Sequence, residues 1–189
     1  MHDRRRFLKT LAALGVSTVV PRFSSYPFAL GVASGYPSPS SVVLWTRLMG
    51  DFSLGSIPVR WELSEDEAMK KAVLSGEETA DPAWAHSVRT EVQGLEPDRW
   101  YWYRFTAGDA QSPIGRTRTA PAAAAPTQRL RFAFASCQQY EQGFFGAYRH
   151  IVADQPDLVA FLGDYIYESI GVRRFVDPPP MQRVEVNSH

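Results

Sequence analysis

Short stretches of alternating apolar and polar residues run along the first two thirds of the chain. Ser41 to Arg47 (SVVLWTR) and Ile57 to Leu63 (IPVRWEL) read as strands, the second with Val59, Trp61 and Leu63 on one face. Arg99 to Ala107 (RWYWYRFTA) predicts another, and its alternation turns half of the rings of Trp100, Tyr101, Trp102 and Tyr103 inward. Ala85 to Val92 reads as a further strand, and one more ends near Thr119. Ser64 to Val73 is polar with a weak helical period and supports no assignment. Turn clusters such as Gly35-Tyr36-Pro37-Ser38-Pro39 punctuate the strands, and regular turns between alternating runs are the signature of a β-sandwich.

After Thr119 the pattern changes. Ala120 to Pro126 (APAAAAP) is a Pro/Ala linker, stiffer than a Gly/Ser one. Beyond it, Leu130 to Ala135 alternates Leu130, Phe132 and Phe134 against Arg131, Ala133 and Ala135. Phe144, Tyr148, Ile151 and Val152 recur at helical spacing until Gln155-Pro156 stops the helix. Leu158 to Leu162 is an unbroken apolar run, the pattern of a parallel strand covered on both faces. Strand, helix and strand in this order predict a right-handed βαβ unit. Both strands then end on one sheet edge, where open α/β sheets place their ligands.

That edge gathers chemistry. Ser136-Cys137 follows the first strand and Gly163-Asp164 follows the second. With neighbouring strands roughly 5 Å apart, the thiol and the carboxylate face one small site. Tyr167 reaches the same place by a single turn of chain. Taken singly, each residue has an ordinary reading: a lone Cys as a small buried hydrophobe, an Asp after Gly as a turn residue, a Tyr as packing. Jointly they suggest a metal. A thiolate suits a soft or borderline ion, a carboxylate can bridge two ions, and a phenolate suits a ferric centre.

Composition narrows the partners. A hydrophobic fraction of 44% with 13% aromatics is enough for a real core, and 189 residues hold one ordinary domain or two small ones. Lys+Arg 20 against Asp+Glu 20 leaves no net charge, which argues against a nucleic-acid partner held through its phosphates. The single Cys rules out a disulfide within the chain.

Arg4-Arg5-Arg6-Phe7-Leu8-Lys9 precedes a mildly apolar run from Leu11 to Val20, a signal-peptide pattern too short to span a bilayer. It resembles the twin-arginine motif R-R-x-F-L-K, with Arg4 and Arg5 as the pair and Phe7, Leu8 and Lys9 completing it. The expectation is a leader over residues 1–25 and export by the twin-arginine translocase to the periplasm or the outside. An unpaired thiol in an exported chain calls for a role, which again points to Cys137.

Leu95-Glu96-Pro97-Asp98-Arg99-Trp100-Tyr101 resembles the L-x-P-x-x-x-Y tyrosine corner of fibronectin type III-like sandwiches, whose phenol ties back to the preceding loop. Phe134-Ala135-Ser136-Cys137-Gln138 and Leu162-Gly163-Asp164-Tyr165-Ile166-Tyr167-Glu168 resemble the opening of the catalytic domain in PhoD-type alkaline phosphatases. These are a branch of the calcineurin-like metallophosphoesterases. Pro27 to Gly35 (PFALGVASG) and Ser41 to Arg47 are similar to the N-terminal domain of the same family. Most of the superfamily opens with Asp-x-His; Cys137-Gln138-Gln139 departs from it in the way that marks the PhoD branch. Tyr36 stands where the family commonly has Asp.

The resemblance implies a β plus α/β fold. A fibronectin type III-like β-sandwich over 26–119 would be followed by a linker over 120–128. The first βαβ unit of a metallophosphoesterase α/β sandwich would occupy 129–189. It implies that Cys137 and Tyr167 bind a ferric iron and that Asp164 bridges it to calcium, with zinc or another divalent ion as the alternative. The substrate would be a phosphate mono- or diester, and the protein a monomer without a transmembrane segment. Phe175 to His189 (FVDPPPMQRVEVNSH) shows no periodicity, and the family's W-D-D-H-E-x-x-N-N does not occur. Two strands and one helix cannot cover both faces of a sheet, so Phe132, Phe134, Val159 and Phe161 are expected to be partly exposed. Two functions follow: the N-terminal part of an exported metallophosphatase, inactive as this chain alone, or an exported non-catalytic binding module left by truncation.

Overall fold

The computed structural model describes residues 22–50, 52, 55–126, 129–138, 145–165 and 167, and the backbone of two further strands, Arg174–Val176 and Val184–Val186. Arg4, Arg5, Phe7, Leu8 and Lys9 lie outside the described residues. Two compact units meet between Ala124 and Ala125, within the Pro/Ala stretch. Among the described residues no helix is long and apolar enough to cross a membrane.

In the first unit, β1 (Val32–Gly35), β2 (Ser41–Arg47) and β5 (Ser87–Gln93) form an antiparallel sheet in the order β1-β2-β5. A second sheet runs β4 (Ala72–Ala80), β3 (Ile57–Ser64), β6 (Trp100–Ala107) and β7 (Ala110–Gln111), with β8 (Gly115–Arg118) also paired to β6. The alternation read from the sequence decides which side chains meet. Val42 and Leu44 of β2, Val88 and Val92 of β5, Val59 and Leu63 of β3, and Tyr101, Tyr103 and Phe105 of β6 join one buried cluster. Each such side chain contributes about 1.5–3 kcal/mol on burial. A one-residue slip would turn a whole row to solvent, so burial fixes the register.

Two aromatic residues of the second sheet lie flat over glycines on the neighbouring strand. Trp61 is opposite Gly76, and Tyr103 is opposite Gly115. A Cβ on Gly76 would fall 2.6 Å from the Trp61 ring, and one on Gly115 would run into the Tyr103 ring. A strand glycine here marks close approach rather than a weak strand.

Ser64 to Val73, unassigned from its pattern, is the β3–β4 connection and the start of β4. The Ser64 hydroxyl donates to the Lys71 carbonyl, and the Asp66 carboxylate accepts from the Ala68 and Lys70 amides. These local bonds satisfy the backbone in a turn, so no helix forms. Strand β4 escaped the alternation rule because it lies at a sheet edge and buries only Ala80 completely.

The corner between β5 and β6 is closed from both sides. Tyr101 is 2% exposed, and its hydroxyl accepts from the Glu96 amide at 2.9 Å. Thr119, at the end of the unit, donates its hydroxyl to the Glu96 carbonyl at 2.7 Å and accepts from the Arg99 amide at 3.0 Å. The Leu95-to-Tyr101 motif therefore folds as its spacing predicts.

In the second unit, β9 (Phe132–Ala135) and β10 (Leu158–Phe161) pair in parallel, with Phe132 opposite Leu158 and Ala135 opposite Phe161. Between them in sequence runs α1 (Gly146–Ala153), which ends at Asp154 before Gln155-Pro156. Phe144, read as part of this helix, lies outside the described residues. The unbroken apolar run at Leu158–Leu162 is not covered on both faces: Phe132 is 61% and Phe134 66% exposed, and Leu158, Phe161 and Leu162 are also exposed. Val159 is half-buried. The tail read as patternless contains β11 (Arg174–Val176) and β12 (Val184–Val186), antiparallel to each other with Pro178-Pro179-Pro180 between them in sequence. Segments this short are held by backbone pairing, which leaves no period to read.

Tyr101→Phe removes the acceptor of the Glu96 amide and should cost about 1 kcal/mol or somewhat more. A urea melt will show it as a lower midpoint at unchanged slope, and an unmoved midpoint would mean that the phenol adds no net stability.

Burial pushes the Tyr103 phenol up to about 12, against a smaller opposite pull from its bond to the Ser34 hydroxyl. Its folded value thus lies above the unfolded one near 10, so its contribution is complete below about pH 10 and is lost as pH rises through 12. Between pH 10 and 12 the parent should lose stability faster than Tyr103→Phe, the remaining tyrosines and lysines being common to both. Parallel slopes of midpoint against pH would contradict this.

Candidate metal centre

Parallel pairing brings the C-terminal ends of β9 and β10 to one edge, and the backbone ladder does not stop there. The Leu162 amide donates to the Ala135 carbonyl at 2.9 Å, the Cys137 amide to the Gly163 carbonyl at 3.2 Å, and the Gln138 amide to the Asp164 carbonyl at 2.9 Å. The loops after the two strands are therefore tied to each other residue by residue. Both depart from extended geometry, with Cys137 at φ 56° and Asp164 at φ 48° in the left-handed region and Gly163, just before Asp164, at φ 135°.

This ladder sets the side chains. The Cys137 thiol donates to Oδ2 of Asp164 at 3.4 Å. The Tyr167 phenol lies close enough to Cys137 and Asp164 to feel both, so all three residues singled out in the sequence come together. The phenol is pushed up to about 12, first by its interaction with Cys137, then by lost hydration and by the negative charge of Asp164. Each of these favours the neutral phenol over the phenolate.

A thiol, a carboxylate and a phenol in mutual contact form a donor set suited to a cation. Each becomes an anion on losing its proton, and three anions at contact distance repel unless a positive charge lies among them. None of the ion pairs among the described residues engages Asp164. Among the described residues no cluster of three His, Cys, Asp or Glu side chains forms, so the phenol is what completes the set here. The edge is open to water: Cys137 is exposed and Tyr167 is 39% exposed.

One neighbour was not legible as a participant. Gln138 reads in the sequence only as a departure from Asp-x-His. In the fold its amide is a rung of the ladder, and its side-chain Nε2 is buried without a hydrogen-bond partner among the described residues. The position just after the Cys was the available signal.

Residues 14–121 match the PhoD-like phosphatase N-terminal domain, and residues 132–187 match the PhoD-like phosphatase domain. The chain is 47% identical to alkaline phosphatase D of Bacillus subtilis (strain 168), over 88% of this chain and 32% of that protein. A solved structure of PhoD superposes with a TM-score of 0.79 at 48% identity, covering 86% of this chain and 32% of that one. The chain spans about a third of the length of the curated relative it matches.

Proposed function

The chain belongs to the PhoD-like phosphatases, and from that membership we propose that it is the N-terminal part of an exported, metal-dependent hydrolase of phosphate esters. The observation that carries the proposal is the meeting of Cys137, Asp164 and Tyr167 at the shared end of β9 and β10. In this reading Cys137 and Tyr167 would hold a ferric iron and Asp164 would be shared between it and calcium, zinc or another divalent ion being the alternative. When bound, the metals supply Lewis acidity toward a phosphoryl oxygen. The protein's own part is to hold three donors in register and to release their protons. A thiol and a phenol ligate as anions, so ligation displaces their protons and strengthens as pH rises.

The first unit is read as a fibronectin type III-like sandwich. Its support is two antiparallel sheets around one buried cluster and the Tyr101–Glu96 corner. Export rests on the sequence: Arg4 and Arg5 with Phe7, Leu8 and Lys9 are the proposed address for the twin-arginine translocase. A second reading, an exported binding module built on the sandwich, has one observation in its favour. The first unit closes its core, whereas the strands of the second expose Phe132, Phe134 and Phe161.

Hydrolysis separates the two readings. The purified 189-residue polypeptide, reconstituted with metal, should not turn over a generic phosphate ester, because its donors stand open to water and its apolar strands are uncovered. Turnover above background that disappears in Cys137→Ala would overturn this. Extended to the length of its relatives, the protein should hydrolyse the ester in a way that depends on both Cys137 and Asp164. An extended protein that stays inactive would favour the binding module.

Replacing Arg4 and Arg5 together by Lys should leave the precursor in the cytoplasm, and Arg6→Lys alone should matter less. Cell fractionation decides it: normal export of the double variant would remove the twin-arginine assignment.

A further inference from the structure

We propose that Gly163 is a positioning residue, which sets the separation of Cys137 and Asp164 through the backbone and not through packing. The proposal rests on the reading of this edge as a metal site. Among the described residues nothing within 4 Å would meet a Cβ built on Gly163, so space does not require glycine there. Conformation does. Its φ of 135° belongs to a region that side-chain-bearing residues rarely adopt.

The Gly163 peptide has two duties at once. On its C-terminal side it delivers Asp164 at φ 48°, which aims the carboxylate at the thiol. Its carbonyl accepts the Cys137 amide at 3.2 Å and so helps hold Cys137 at φ 56°, an uncommon conformation for a non-glycine residue. The Gln138-to-Asp164 rung at 2.9 Å then locks the far side. A side chain at Gly163 would push φ toward ordinary values and rotate this peptide. The thiol and carboxylate would then separate while the strands behind them stay paired. The ladder upstream does not pass through Gly163: Leu162 bonds to Ala135, and Leu158 to Phe161 keep their partners in β9.

Gly146, at the start of α1, provides the control. Among the described residues a Cβ there also meets nothing within 4 Å, and its φ is ordinary. Gly146→Ala and Gly163→Ala therefore add the same methyl into open space and differ in the backbone conformation required. The probe is Co2+ alone, added to the 189-residue polypeptide and followed by the thiolate-to-cobalt absorption band. Amide exchange at Leu162 is measured in the same samples.

The expected result is a band in the parent that is absent in Cys137→Ala and unchanged in Gly146→Ala. In Gly163→Ala the Co2+ affinity should fall about tenfold or more, with Leu162 protection retained. Equal affinity in Gly163→Ala and the parent would overturn the positioning role. Loss of Leu162 protection in Gly163→Ala would overturn it as well, by making Gly163 a folding residue. A parent without the band would overturn the metal reading itself and the positioning role with it.

Discussion

The first unit depends on the inward row of β6. Tyr101, Tyr103, Phe105 and Ala107 are all buried, and β6 is the strand that pairs with β3, β7 and β8. Strand period two makes this row possible, and its rings make it large: aromatic side chains bury more area than any others. The other features answer to that row. Gly115 is a glycine because the Tyr103 ring occupies its Cβ space, and Tyr101 needs a buried partner for its hydroxyl, which the Glu96 amide supplies. Thr119 then ties the end of the unit to the same corner, just before Pro121.

The second unit is held by a different kind of force. Its described strands bury few side chains, and what fixes Cys137 against Asp164 is a run of backbone hydrogen bonds that continues past the strand ends. Hydrogen bonds open to water contribute little net stability but strong geometry. The consequence is a division of labour within one chain. Packing supplies the stability of the first unit, and backbone direction supplies the arrangement of donors in the second.

That difference explains what was legible. The rows of β2, β3 and β6 were readable because burial writes a period into the sequence, and β2 begins and ends at Ser41 and Arg47 as its alternation predicts. Edge strand β4 was not readable, since an edge contributes hydrogen bonds and asks little of its side chains. The same holds for β11 and β12. That Cys137, Asp164 and Tyr167 meet at one sheet edge was legible because residue type carries chemistry and topology carries position. The left-handed turns at Cys137 and Asp164 could not, because only glycine announces a positive φ, and neither is glycine.

Exposure limits what the edge does unaided. In water the attraction between unit charges at 4 Å is only about 1 kcal/mol, whereas at an effective dielectric near 20 it is about 4. Three donors in contact thus become a selective site only when water is excluded around them. The Tyr167 phenol shows the balance in the uncovered edge: its contacts with Cys137 and Asp164 hold the proton on, up to about 12. A cation reverses that preference by replacing the proton as the shared positive charge, and it does so more strongly the drier the edge. Ligand identity and enclosure are therefore separate requirements. In the proposed reading Cys137, Asp164 and Tyr167 supply the first, and the exposed faces of β9 and β10 leave the second unmet among the described residues.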